Sequence, residues 1–251
     1  VKIITLEDPV EYQLNGVNQV QVQPGIGFDF AAGLRSIVRQ DPDIIMIGEI
    51  RDRETAGIGM QSALTGHLVF STVHTNDAPS AYTRLLDLGV EEYLLNAALR
   101  SIVAQRLARR LCVHCAVPHP EARALMDRME LHAFAERAGV REPQLMEASG
   151  CDACGHTGYR GRMAVVEYLR CDEGIKALDV GPHFPAEARR YCDSQGWRSL
   201  REDGYRDLLG LTEGYRPDMG FPGAWLYAGD QAVLHVMIRN PLPQTRAGVL
   251  D

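Results

Sequence analysis

The chain has 251 residues, 45% hydrophobic and 24% charged, with a formal charge of −7. Those proportions are globular and admit one large domain or two modest ones, while the acidic balance argues against a dedicated nucleic-acid binder, whose footprint is basic. No apolar run reaches the roughly 18 residues of a membrane-spanning helix, and no basic-then-apolar secretory stretch opens the chain.

Residues 1–6 form a β-branched run and read as a strand, and an opening of that kind points to a natural start upstream. Residues 15–22 alternate apolar and polar, as a half-buried strand does. Over 28–39 the spacing is helical, with Phe30, Leu34 and Ile37 on one face, and Asp41-Pro42-Asp43 breaks it because a residue before proline avoids the helical region. Residues 44–48 are a short continuous apolar run, the pattern of a parallel strand covered on both faces. A helix is expected over 51–64, although Gly57 and Gly59 each cost about 1 kcal/mol relative to alanine. Another buried strand follows at 68–73. Amphipathic helices are expected at 78–88 and 91–110, the second with Leu94, Leu95, Ala98, Ile102 and Leu107 as its stripe and the cations of 106–110 at its end. Strand–helix alternation of this kind means an α/β domain with a parallel sheet.

Beyond residue 111 the character changes. Two cysteine pairs flank a charged helical insert at 121–138, and 160–209 carries helix-like stretches at 185–195 and 200–209. The last forty residues are richer in Gly and Pro and read as strand, turn, strand over 224–238.

Chemistry-bearing residues gather at strand ends, where open α/β sheets bind ligands. Glu7-Asp8-Pro9-Val10-Glu11 follows the first strand. Its three carboxylates either hold Mg²⁺ through water and orient an attacking water or form a solvated acidic turn. The run 43–52 is a buried strand ending in Gly48 and then Glu49, the Walker-B pattern of nucleotide-hydrolysing proteins. Glycine admits close backbone approach, and Glu49 is placed to orient or deprotonate the water that attacks a γ-phosphate. His67 and His74 bracket the strand at 68–73, seven residues apart, so a regular strand turns them to opposite faces. His74, beside Thr75, Asn76 and Asp77, is a candidate phosphate sensor.

Taken in order, these residues resemble the traffic ATPases of type II secretion and type IV pilus assembly. Residues 4–11 are similar to that family's Asp box, 43–52 to its Walker B, 64–77 to its His box, and 34–43 to its run into Walker B. The resemblance covers about 1–210 and implies a partial RecA-like P-loop NTPase core. It implies Glu7 and Glu11 as Asp-box carboxylates with Asp8 between them, Glu49 as catalytic glutamate, and His67 and His74 as the His-box pair. Arg35 and Arg39 are candidates for sensing phosphate or a subunit interface. ATP with Mg²⁺, a homo-hexamer, inner-membrane platform and secretion or pilus assembly partners, and a cytoplasmic place beneath the inner membrane all follow from the resemblance.

Cys112-Val113-His114-Cys115 and Cys151-Asp152-Ala153-Cys154 stand 35 residues apart. Each Cys-x-x-Cys turn supplies two thiolates, and tetrahedral Zn²⁺ accepts four, leaving no open position and hence a structural role. Such an element is typical of secretion and pilus-extension members of the family. Cys171 and Cys192 read as ordinary buried small residues.

Two departures stand out. No Gly-x-x-x-x-Gly-Lys-[Ser/Thr] occurs in the chain, so the phosphate cradle and its lysine are missing here; in the family that loop precedes the Asp box. From about 205 the sequence instead resembles the glyoxalase and extradiol-dioxygenase proteins, on Phe221–Tyr227 and Val233-Leu234-His235. Four spans are therefore expected: an ATPase core at 1–111, a zinc element at 112–155, a helical domain at 156–210, and a foreign, hairpin-like tail at 211–251 packing apart from the rest. Two alternatives stay open: a non-catalytic, zinc-stabilised adaptor, and a glyoxalase-like metalloenzyme centred on the tail, with His235 its one visible ligand.

Overall fold

The computed structural model describes residues 1–137, 145–208 and the strand 234–238. Contacts divide the chain into two compact units, Val1–Ala104 with Leu169–Gln195 and Val233–Asp251, and Gln105–Tyr168 with Gly196–Ala232.

In the first unit, strands and helices alternate: β1 (Ile3–Glu7), β2 (Val17–Gln21), α1 (Phe30–Val38), β3 (Ile44–Ile47), α2 (Arg53–Leu64), β4 (Leu68–Thr72), α3 (Ala78–Asp87), α4 (Glu92–Ala98) and the start of β5 (Leu99–Leu111). β1 pairs in parallel with both β2 and β3, with Leu6 opposite Val20 and Ile47, and β3 pairs in parallel with β4, with Ile47 opposite Ser71. Leu6, Leu34, Ile37, Ile45, Ile47 and Met60 are fully buried between this sheet and its helices.

In this unit α1, α2 and α3 each open on an aspartate. Asp29, Asp52 and Asp77 accept from the N–H groups of Ala32, Thr55 and Ser80, all at 2.8 Å, satisfying donors that the helix itself leaves unpaired. Glycines set the layer spacing. A Cβ at Gly33 would meet Leu6 Cδ1 at 2.7 Å, and one at Gly59 would meet Ile47 Cδ1 at 3.0 Å. Gly59 is thus a contact point of α2 on β3, where a larger residue would press on the end of the Ile47 side chain.

The helix expected over 91–110 ends at Ala98, and β5 takes over. The apolar residues fit both periods, but Ile102 and Val103 are β-branched, and the segment gains a sheet ladder by extending. The cations of 106–110 accordingly lie on a strand and not at a helix end.

The second unit takes the rest of β5, then β6 (Ala116–Pro118), α5 (Ala122–Arg128), α6 (Leu131–Arg137), β7 (Met146–Ala148), most of β8 (Tyr159–Arg170) and later α9 (Leu200–Leu208). Its core is Met126, Leu131, Phe134, Ala135 and Leu145, with the Tyr205 ring edge-on to Phe134 at 5.8 Å. β8 occupies the opening of the span expected to be helical; 164–169 alternates half-buried and buried side chains, which is strand periodicity. Returning to the first unit, α7 (Glu173–Lys176) leads to α8 (Phe184–Ser194), which packs on α3 by stacking Phe184 on Tyr82, centroids 4.6 Å apart.

The sheet order is β2-β1-β3-β4-β9-β5-β8, where β9 is Leu234–Ile238. β9 runs antiparallel to β4 and to β5. Of the tail, the described residues 234–238 pair along two strands that would otherwise leave their backbone groups bare. The other half of the expected hairpin, 225–227, lies outside the described residues.

Candidate functional site

The parallel register brings the carboxyl ends of β1, β3 and β4 together. Gly48 N–H donates to Leu6 O at 2.7 Å, Ile50 N–H to Thr72 O at 2.9 Å, and the Thr72 hydroxyl to Gly48 O at 2.5 Å. A Cβ at Gly48 would stand 3.0 Å from Leu6 O and 3.4 Å from Glu7 Cα, so glycine is what lets the turn after β3 lie against β1.

That turn delivers Glu49. Its side chain is 12% exposed and is held by Arg51 through Oε1, while His74 Nε2 stands 3.3 Å from Oε2. The carboxylate holds the Arg51 guanidinium above its ordinary pKa, and Asp8 adds to the effect from nearby. Oε2 is buried and, among the described residues, accepts no hydrogen bond of good geometry, His74 lying beside it without one, an unusual state for a carboxylate oxygen.

Glu7, on the last position of β1, accepts from the Thr5 hydroxyl at 2.5 Å and from Gln19 Nε2 at 3.0 Å. Asp8 and Glu11 are exposed on the following turn. Glu7, Asp8 and Glu11 do not converge as metal ligands: among the described residues, the one group of three or more His, Cys, Asp or Glu with gathered ligand atoms is the cysteine tetrad.

The two histidines lie beyond opposite ends of β4. His67 precedes the strand, where its Nδ1 lies 2.8 Å from Ser62 O and 3.2 Å from Thr65 Oγ1 at the end of α2. His74 follows β4 and faces Glu49. Asp77, four residues on from Val73, caps α3 and receives Arg189 of α8 at 2.7 Å. Arg35 pairs with Glu54, both exposed, bridging α1 to α2, and Arg39 ends α1. The structure does not bring Arg35 or Arg39 into the cluster of Glu49, Arg51 and His74.

Sequence reasoning missed Arg51 and Gln19. A Glu-x-Arg pair directly after a buried strand was a visible signal for the first. Gln19 reaches Glu7 only through the β1–β2 register, which no local pattern discloses.

The second site lies wholly in the second unit. Cys112 N–H donates to Gly158 O at 2.9 Å, which draws the two cysteine turns together. The four sulfurs lie within 4.8 Å of one another, with Cys112–Cys151, Cys115–Cys154 and Cys151–Cys154 separations of 3.9, 3.9 and 3.8 Å. Four thiolates on zinc at about 2.3 Å span tetrahedral edges of about 3.8 Å. Backbone N–H groups of Gly150 and Gly158 point at Cys115 and Cys154 at 3.3 and 3.2 Å, as the donors that orient metal thiolates do. The backbone N–H of Cys151 leads in bringing the Cys154 thiol down to about 6; desolvation pushes Cys115 up to about 12. Gly158 has φ +74°, and a Cβ there would meet Ala148 Cβ at 2.5 Å, so only glycine closes the turn. The donor set and spacing fit zinc.

This fold is shared with a solved pilus retraction motor and a solved ATPase. The pilus retraction motor PilT with bound ADP superposes with a TM-score of 0.52 at 24% identity, over 85% of this chain and 53% of that one, and the Legionella pneumophila ATPase DotB with 0.50 at 23%, over 81% and 46%. These likenesses define an α/β core of the kind those ATPases carry. The family described as "Type II/IV secretion system protein" matches residues 1–213, and the chain belongs to that family. The type IV pilus assembly ATPase PilB of Thermus thermophilus is 48% identical over 212 residues, 83% of this chain and 23% of that protein. The type II secretion system protein HxcR of Pseudomonas aeruginosa is 48% identical over 81% of this chain and 39% of its own length. The chain thus spans about a quarter to two fifths of these curated relatives. No helix among the described residues is long and apolar enough to cross a membrane.

Proposed function

We propose that this chain carries the hydrolytic half of an ATPase site whose turnover drives type IV pilus assembly or type II secretion. The observation that carries the reading is Glu49, nearly buried at the carboxyl end of β3, fixed by Arg51, with His74 beside its second oxygen, which accepts no hydrogen bond from the described residues. That oxygen is free to accept from a water in line for a γ-phosphate, which Glu49 then orients or deprotonates. His74, across from the same oxygen, senses the phosphate or shares the proton; His67 holds the start of β4. Mg²⁺, bound with ATP, would neutralise charge developing on the phosphates; Glu7, Asp8 and Glu11 suit it through intervening waters, since Mg²⁺ keeps much of its hydration shell. Arg35 and Arg39 stand on a separate helix face, suited to a neighbouring subunit of a homo-hexamer at the cytoplasmic side of the inner membrane. Zn²⁺ on Cys112, Cys115, Cys151 and Cys154 is structural.

Partner proteins of the secretion or pilus platform are supported by the relatives alone. The test is ATP turnover by this chain alone and by the same chain joined to a segment bearing Gly-x-x-x-x-Gly-Lys-[Ser/Thr]. The reading expects turnover from the second only; equal turnover, or none from either, contradicts it. The adaptor alternative predicts none from either.

A further inference from the structure

The acidic turn after β1 reaches β2 with no helix between them. Residues 8–16 return from the carboxyl end of β1 to the start of β2, and Tyr12 and Leu14 on this return hold their side chains exposed. Neither side chain anchors the return, so its placement depends on hydrogen bonds, and two glutamines of β2 supply them. In the parallel register Gln19 stands opposite Thr5 and Gln21 opposite Glu7, and alternate residues of a strand share one face.

Gln21 Oε1 accepts from Val10 N–H at 3.4 Å. Gln19 does more. Its Nε2 donates to Glu7 Oε1 at 3.0 Å and to Tyr12 O at 2.9 Å, and its Oε1 accepts from Leu14 N–H at 2.6 Å. A side-chain amide has two N–H donors, and both are spent. The partners also fix its orientation: turned over, the amide oxygen would face the Glu7 carboxylate and the Tyr12 carbonyl, and the NH₂ group would face the Leu14 N–H. Gln19 is thus a clasp with one end on a carboxylate and the other on two backbone groups.

The Glu7 end is equally defined. The Thr5 hydroxyl and Gln19 both donate to Oε1, and no described residue donates to Oε2. Thr5 is buried, so the carboxylate is held through one oxygen against a fixed wall and presents the other.

We propose that Gln19 is the positioning residue of the acidic turn: one amide locks the Glu7 carboxylate to the return at 12–14, so that the orientation of Glu7 and the placement of the loop carrying Asp8 and Glu11 change together. The role of that turn toward Mg²⁺ rests on the ATPase reading; the clasp itself does not. Gln19 acts through Glu7, and a loosened clasp weakens the response to Mg²⁺ without weakening the hold on ATP.

The test begins with the whole chain, free of nucleotide, and reads the amide exchange of Leu14 by NMR. Gln19→Met keeps the length of the side chain and removes its donors and acceptor. It should speed exchange at Leu14 about fivefold, the scale of one hydrogen bond, and leave the Ile45 amide of β3 unchanged. Glu7→Met should speed Leu14 about twofold, although Glu7 bonds Thr5 and Gln19 and not Leu14, and should add nothing once Gln19→Met is present. Independent contacts would add instead, and general destabilisation would move Ile45 as well. Zinc content and dichroism confirm folding, and Gln19→Asn, one methylene short of spanning both ends, replaces Gln19→Met if that variant does not fold. In the chain joined to a phosphate-binding segment, Gln19→Met should raise the Mg²⁺ concentration for half-maximal turnover about tenfold, the scale for a partner that orients a metal ligand, with KM for ATP at saturating Mg²⁺ unchanged. Unchanged exchange at Leu14, additive effects of the two changes, exchange raised equally at Ile45, or an unmoved Mg²⁺ midpoint in an active joined chain overturns the proposal. A joined chain that turns over no ATP refutes the ATPase reading, and the exchange results still decide the clasp.

Discussion

Removing zinc should loosen one unit of the protein and leave the other intact. The perturbation is the double change Cys112→Ser with Cys151→Ser, or chelation of the native chain. With 35 residues between Cys115 and Cys151, a metal tether closes a loop whose entropy is worth about 4 kcal/mol on the chain-entropy account. Coordination adds to this, because binding free energy at a structural site is folding free energy. Loss on that scale exceeds what the small cluster of Met126, Leu131, Phe134, Ala135 and Leu145 can be expected to hold alone. The assay is hydrogen exchange with metal analysis: one zinc per chain at the outset, and after its removal fast exchange over 112–118 and 146–158. Amides of Ile4, Leu6, Ile45 and Ile47 should keep their protection. A folded chain without stoichiometric zinc refutes the reasoning, as does unchanged protection of the cysteine turns after chelation.

Gly48→Ala should lower stability by about 1–3 kcal/mol, since the new methyl meets Leu6 O, a backbone atom with little freedom to yield; a thermal melt identical to the parent's would show β1 and β3 to be less tightly joined. Asp77→Ala should lose about 1–2 kcal/mol, roughly one from the α3 cap and less than one from the half-exposed Arg189 pair. Asp77→Asn keeps the cap and should lose only the smaller part, so urea midpoints that are equal for the two changes would contradict this division. Burial alone would raise the Asp77 carboxyl, but hydrogen bonds from Ser80 and the Arg189 charge carry it below its ordinary value. Its contribution is therefore complete above about pH 4 and lost as pH falls through the lowered native value; Asp77→Asn should flatten that acid limb, and an unchanged limb would place the dependence elsewhere.

The site was more legible than the sheet. Gly48-Glu49 could be read because a continuous apolar run, a glycine and a carboxylate follow one another in sequence, and the cysteine turns because each pair is local. Gln19 supporting Glu7, and Arg189 supporting Asp77 across 112 positions, depend on register and packing that no window of sequence contains. The helix expected over 91–110 shows the same limit: its stripe fits a helix until β5 finds strands to pair with. The tail shows it most clearly, since nothing in 234–238 names β4 and β5 as partners. His67 and His74 were expected on opposite faces of one strand, but both lie outside β4, where loop geometry decides their neighbours.

The central claim rests on Glu49, and Glu49→Gln tests it directly in the chain joined to a phosphate-binding segment. The amide keeps the shape of the side chain and loses the charge that orients or deprotonates water. ATP turnover should fall by on the order of 10²–10⁴ while ATP binding, measured by fluorescence of a labelled nucleotide, persists, because the phosphate cradle is untouched. Turnover undiminished by Glu49→Gln, or binding lost together with turnover, would contradict the account.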